Sequence, residues 1–312
     1  MRSLPMMKTA LAATAFVSLV ATGCVKQDGP PEEIARAIPT ADQVAIKLPA
    51  QGRTLGAVAD YYRVTRDVTR SLNGGSAWVL ILIHTIVQYP VTSVNGNVYT
   101  WGPWSDTLDP AEYKLDVTAN ADGTFDYALS GRSKTVANSS FEEVINGHAD
   151  PTPGELQGNG DFSIDFDASR RVNPIDSGDA KGQVVVTYDL AARHLDMHAM
   201  GPDDNGNPAS FDYAYNETLD HGGDMVFDAK ADIGGTTAPE SLVIRSRWQS
   251  DGQGRGDARI TGGDLGATQA IASECWNTLF ARVFYTDNAS FQPTEGSVSA
   301  CAYGTADLPP AQ

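Results

Sequence analysis

From Thr54 to Leu72, the apolar or half-apolar residues Leu55, Val58, Tyr62, Thr65, Val68 and Leu72 recur at steps of three or four. Asp60, Arg63, Arg66, Asp67 and Arg70 fall mostly between them, so the stretch predicts an amphipathic helix that Asn73-Gly74-Gly75 brings to an end. Trp78 to Val87 comes next, apolar on all sides and closed by Tyr89-Pro90. A short run of this kind is a buried helix or a central strand, and its length together with Ser76-Ala77 at its start favours the helix. It is too short to span a bilayer, which takes about 20 residues.

After Pro90 the period changes from three or four to two. Alternation is visible in Tyr99-Trp101, Tyr113-Leu115-Val117, Phe125-Tyr127-Leu129, Phe162-Ile164-Phe166, Val184-Val186-Tyr188, Leu195-Met197, Phe211-Tyr213-Tyr215, Met225-Phe227, Leu242-Ile244 and Phe280 to Tyr285. Asp126, Ser163, Asp165, Asp212, Asp228 and Lys230 stand between the apolar positions, so most strands bury one face only. Asn-Gly at 95, 146, 159 and 205 and Asp-Gly at 122 and 251 supply turn chemistry. The expectation is a mainly β domain with N-terminal helices, in which a long antiparallel meander of about ten strands curves into an open half barrel around one or two helices. A two-sheet sandwich is the competing layout. If the sheet holds a ligand against the helices, Trp78, Ile81, Trp101, Phe125, Tyr127, Phe162, Phe166 and Phe227 are the candidate apolar residues that face it.

The start of the chain has a different use. Arg2 and Lys8 precede a run of small and apolar residues that reaches Ala21-Thr22-Gly23-Cys24. A positive flank, a short apolar core and small residues at the cut are the marks of a secretory signal peptide. Ala21 to Cys24 resembles the bacterial lipobox, with Ala21 where Leu is usual. That resemblance implies a lipid-modified Cys24 and anchoring by more than one acyl chain, each buried CH₂ contributing about 0.8 kcal/mol. No Asp follows Cys24, which under the enteric sorting rule implies the outer membrane, with the protein facing the periplasm or the cell surface. Pro30-Pro31, Pro39 and Pro49 break up the segment after Cys24, which reads as a tether. The chain thus divides into a signal peptide (1–23), lipidated cysteine and flexible tether (24–51), one β domain with an N-terminal helical pair (52–307) and a disordered tail (308–312).

Charge narrows the partners. The 312 residues carry 22 Lys and Arg against 39 Asp and Glu, a net charge of −17. Without residues 1–23 the balance is 20 against 39, or −19 over 289 residues. Such a chain repels nucleic acid, and the membrane is reached through the lipid on Cys24 rather than through basic residues.

Catalytic motifs are missing. There is no Gly-x-Ser-x-Gly, no His-Glu-x-x-His and no phosphate-binding Gly-rich loop before a helix, so no enzymatic activity, cofactor or metal is expected. His194-x-Asp196-x-His198 is the one histidine cluster, but on a strand its outer members lie about 13 Å apart and cannot share an ion. Asp203-Asp204-Asn205-Gly206-Asn207 fails as an EF-hand, because Pro208 stands where Gly is needed and Ala214 where Glu is needed. Arg255-Gly256-Asp257 is a tripeptide that arises readily by chance. Asp165 and Asp167 would share a strand face, as many of 39 acids must, and nothing marks them as a catalytic pair.

Behind a secretory signal, Cys275 and Cys301 have one intramolecular pairing, which stabilises by roughly 3.5 kcal/mol through loop closure. Leader, tether, helices and meander together resemble uncharacterised lipoproteins of Gram-negative bacteria, with Glu274-Cys275-Trp276, Phe284-Tyr285-Thr286 and Cys301 as a late signature. In layout alone the domain is similar to carriers of the LolA and LppX type, which implies a half barrel holding an apolar or amphiphilic, lipid-like ligand. The other expectation is an envelope or surface lipoprotein that engages a protein and has no small-molecule ligand.

Overall fold

A computed structural model describes residues 32–48, 58–154, 157–175, 180–202, 206–231 and 238–310. The signal peptide, residues 24–31 and 49–51 of the expected tether and residues 52–57 at the start of the expected domain lie outside the described residues, as do 311–312 of the tail.

Among the described residues fifteen strands pair in sequence order, each antiparallel to the next, in one sheet that does not close into a barrel. They are β1 (Ser93–Asn95), β2 (Val98–Trp104), β3 (Ala111–Ala119), β4 (Phe125–Ser133), β5 (Glu142–Asp150), β6 (Asn159–Asp165), β7 (Gln183–Asp189) and β8 (His194–Pro202). The remainder are β9 (Pro208–Glu217), β10 (Gly223–Ala231), β11 (Glu240–Trp248), β12 (Gly254–Gly262), β13 (Gln269–Trp276), β14 (Arg282–Asp287) and β15 (Glu295–Gly296). The open meander is the expected architecture, and the two-sheet sandwich is not formed.

Both edge strands are very short, which limits the row of unpaired backbone groups that could recruit another chain. Asn95-Gly96, Asp122-Gly123 and Asp251-Gly252 do form turns, with Gly96, Gly123 and Gly252 at positive φ. Asn146-Gly147 and Asn159-Gly160 instead lie within strands β5 and β6. Gly147 stands directly opposite Tyr127, and Gly160 opposite Tyr188. A Cβ at Gly147 would come within 2.4 Å of the Tyr127 ring, and one at Gly160 within 2.5 Å of the Tyr188 hydroxyl. The same ring-over-glycine pair recurs as Trp248 over Gly223 and Trp276 over Gly254. Each ring lies flat along the inner face where a side chain would otherwise stand.

The helices cover that inner face. A single helix α3 (Asp60–Ile86) replaces the two expected ones and runs through Asn73-Gly74-Gly75. Local propensity opposes this, and tertiary contacts on both sides override it. On one side Tyr62 stacks on Phe280 with ring centroids 4.3 Å apart, and Thr65 Oγ1 and Ser246 Oγ are 2.6 Å apart. On the other, Val79, Leu80, Ile83 and Val87 are fully buried. In the middle, Asn73 accepts from Ile46 N and donates to Ile46 O, both at 2.9 Å.

Two short helices, α1 (Glu32–Ala37) and α2 (Ala41–Val44), precede α3. Ile34, Ile38 and Ile46 are almost fully buried in the same core. Over residues 32–48 the segment expected as a flexible tether is therefore packed, because those three isoleucines have apolar partners the sequence could not assign. At the other end, residues 308–310 of the expected disordered tail are described too, and Pro309 O accepts from Arg259 Nη2 at 2.6 Å.

The entry of α3 is fixed by a buried carboxylate. Glu274 Oε1 accepts from Asp60 N at 3.1 Å, and Oε2 accepts from Tyr61 N. These are N–H groups of the first turn, which no intrahelical carbonyl can satisfy and which favour a negative charge. Arg282 completes the site, donating to Glu274 Oε1 and, at 2.7 Å, to Asp60 Oδ2. Gly256 gives α3 room there, since a Cβ would lie 2.7 Å from Tyr61 Cβ. Replacing Glu274 with Ala should cost about 3–5 kcal/mol, the usual loss on breaking a buried ion pair, and should lower the urea midpoint with an unchanged denaturant slope.

Candidate functional site

A cleft of about 370 Å³ opens between α3, the inner face of β2 to β6, and the short helix α4 (Phe166–Val172). Leu82 of α3 and Leu129, Val144, Ile145 and Ile164 of the sheet form its apolar walls. Trp104, Tyr113 and Phe166 add aromatic surface, while Ser169 and Asn173 supply polar groups.

Two irregularities of the sheet build this cleft. Between β4 and β5, Leu129 pairs with Ile145 but Ser130 pairs with Glu143, so Val144 is an extra residue. A bulge puts neighbouring side chains on one side of the strand, and both Val144 and Ile145 are buried. Between β2 and β3, Trp101 pairs with Leu115 and Trp104 with Tyr113, so one residue of β2 is again in excess. Trp104 thereby joins Trp101 on the inner side instead of alternating away from it. The third wall, α4, starts where Asp165 accepts from Ala168 N at 2.8 Å, a side-chain N-cap.

Of the seven expected ligand-facing apolar residues whose side chains are described, Phe166 alone lines the cleft, and it does so from a helix rather than from the expected strand. Trp101, Phe125, Tyr127 and Phe162 are buried in the filled part of the core, with Trp101 Nε1 donating to Tyr89 O at 2.8 Å. Phe227 packs on Phe211 with centroids 4.9 Å apart. Ile81 is 56% exposed, because the buried stripe of α3 at Val79, Leu80, Ile83 and Val87 leaves position 81 on the opposite side. The side chain of Trp78 lies outside the described residues. Sequence reasoning does not single out Trp104 and Val144 for a physical reason: bulges interrupt the alternation by which inward residues are counted.

Cys275 and Cys301 are joined in a disulfide with Cα atoms 5.5 Å apart. In the late triplet, Glu274 and Trp276 point to the inner face and Cys275 to the outer one, as alternation requires. Trp276 Nε1 donates to Gly252 O at 2.9 Å. The neighbouring tripeptide Arg255-Gly256-Asp257 is no exposed recognition loop, since Arg255 and Asp257 are buried and bonded to one another at 2.9 Å.

The outer face of β4 to β9 is polar. His148 meets Asp126 at 2.7 Å, His194 meets Asp196 at 2.6 Å, and His198 meets Asp212 at 2.5 Å. Each histidine of the His194-x-Asp196-x-His198 strand thus has its own carboxylate, and among the described residues no three ligating side chains converge. Asp203 to Asn205 lie outside the described residues. Asp165 and Asp167 do not share a strand face, because the strand ends at Asp165 and the helix begins.

No family model, curated protein or solved structure matches this chain.

Partial burial disfavours the charged form of His194, but hydrogen bonds to Asp196 and Asn216 and the negative charge of Asp196 outweigh it and raise its pKa above the usual 6.5. A raised histidine pKa contributes stability that is fully present below about pH 6.5 and is lost as pH climbs through the higher folded value. Wild type should therefore outlast His194→Gln in urea most clearly at pH 5 to 6. The gap in midpoints should close under alkaline conditions.

Proposed function

We propose that this protein is a non-catalytic lipoprotein, held at the outer membrane through acylated Cys24, that binds an apolar chain in the cleft between α3, α4 and β2 to β6. The cleft carries this reading. Its volume of about 370 Å³ stands near the lower end of the range of about 300–1,000 Å³ usual for small-molecule pockets. That size suits one short acyl chain or ring system rather than a whole multi-chain lipid.

The chemistry of the walls supports the same ligand class. Aliphatic residues line the depth, and burying apolar ligand surface against them gains about 25 cal/mol per Å². Ser169 stands on the α4 side, where its oxygen, whose proton goes to Asp165 O at 2.9 Å, can accept from a polar end group. A second cleft, of about 300 Å³ beside α2 and under β7 to β9, is lined by Asp42, Lys47, Asp189, Arg193 and Glu217 among others, and so many charged walls suit an apolar chain less well.

Binding of a fluorescent fatty acid to the purified protein, together with mass spectrometry of any lipid that copurifies, tests the proposal. Saturable uptake should fall at least tenfold in Ser169→Phe, whose ring fills the cleft, with the denaturation midpoint nearly unchanged. A wild-type protein that takes up no probe and carries no lipid would sink the idea. Anchoring is tested separately: Cys24→Ser should abolish incorporation of labelled palmitate and move the protein from the membrane fraction to the soluble fraction.

A further inference from the structure

Beyond Cys301 the chain crosses the outer face of the sheet, and four arginines of β11 and β12 meet its carbonyl groups at every second residue. Arg255 Nη1 donates to Tyr303 O at 3.1 Å, Arg247 Nη2 to Thr305 O at 2.7 Å, Arg245 Nη1 to Asp307 O at 3.0 Å and Arg259 Nη2 to Pro309 O at 2.6 Å. A step of two is the period of an extended chain, whose alternate carbonyls share one edge.

The receptor side of this contact is held independently of the segment it binds. Arg255 is clamped by the buried Asp257, whose carboxylate accepts from its Nε at 2.9 and 3.0 Å and from Ser273 Oγ at 2.5 Å. Arg245 is clamped by Asp224 through bonds of 2.9 and 2.6 Å. Guanidinium groups fixed in this way lose little further freedom when they bind, which is the condition for an effective site.

The bound segment contributes few side chains. The ring of Tyr303 lies 4.8 Å from the Arg247 guanidinium, and the Asp307 carboxylate reaches Arg245 at 2.7 Å. Gly304, Thr305, Ala306 and Asp307 are exposed to solvent. Recognition is therefore mostly of main chain, plus an aromatic residue followed four positions later by a carboxylate. What keeps the segment in place is covalent as well, since the Cys275–Cys301 bond lies only two residues before Tyr303. Such a tie turns binding into an intramolecular event with an effective concentration on the order of millimolar.

We propose that the outer face of β11 and β12 is a binding track for an extended peptide, filled in cis by residues 303–309, and opened to a segment of another polypeptide when Cys275–Cys301 is reduced. The reductant is a dithiol. It supplies two electrons and two protons, the S–S bond breaks, two protein S–H groups form, and the dithiol becomes a disulfide. The segment is then joined to the sheet only by its backbone through the turn at Val298–Ala300, and a competing peptide with the same aromatic and carboxylate spacing can displace it.

The test uses the full-length protein and a fluorescent peptide with the sequence of residues 302–310, followed by anisotropy. The peptide should not bind the oxidised protein, and should bind saturably after treatment with dithiothreitol and to Cys301→Ser. Combining Arg245→Gln with Arg259→Gln should weaken that binding at least tenfold, as should replacing both the Tyr and the Asp of the peptide with Ala. Hydrogen exchange at residues 303–309 should accelerate on reduction. Unchanged exchange, or no binding to reduced and Cys301→Ser proteins that keep the circular dichroism of the oxidised form, would overturn the proposal. So would loss of the sheet itself in both, since the disulfide would then hold the fold together rather than gate a track.

Discussion

The seat of α3 on Glu274 is the contact on which the other features rest. An unclosed sheet has one apolar face and no second sheet to cover it, so a helix must lie there and must lie in one place. Glu274 is fully buried, and its charge is tolerable only because two N–H groups of the helix start and the Arg282 guanidinium surround it. Those donors exist at one end of α3 and nowhere along its length. The carboxylate thus sets both the position and the direction of the helix. Ala59 N, which donates to Phe280 O at 2.9 Å, ties the preceding backbone to the same corner of the sheet.

From that corner the inner space is divided. Near the start of α3, the rings of Trp248 and Trp276 lie flat over glycines and Tyr62 stacks on Phe280, which fills the interior with the chain's own side chains. Toward β2 to β6, bulges at Trp104 and Val144 change which side chains point inward, and α4 closes over the strand ends. A cleft remains there because the walls are set by three separate elements that are not in register with one another.

The outer face is organised by charge rather than by burial. Over β4 to β9, histidines and carboxylates pair one to one in solvent, where each pair contributes little to stability. Over β10 to β13, the arginines and Asp257 are shielded by the segment that follows Cys301. The chain is strongly acidic overall, yet a good share of its arginines are gathered under that one segment and do not contribute an exposed basic surface.

Much of the fold was legible in the sequence. The change of period after Pro90 announced an antiparallel meander behind N-terminal helices, and two cysteines in the last part of the chain implied their bond. Strand β12 was not legible, since Gly254-Arg-Gly-Asp-Ala-Arg259 buries charged side chains on one face and glycines on the other, and hydropathy registers neither. The middle of α3 carries a local stop signal, because Asn73-Gly74-Gly75 is a poor helix former. Strand β5 was hidden by an Asn-Gly pair that serves as a platform for Tyr127 instead of a turn. Residue order alone determined which stretches alternate, which are amphipathic and how charge is distributed, because those are local properties. The tertiary structure alone decided where a break is overridden, which inward residues line a cleft and which buried charges find partners, because each depends on atoms brought together from distant parts of the chain.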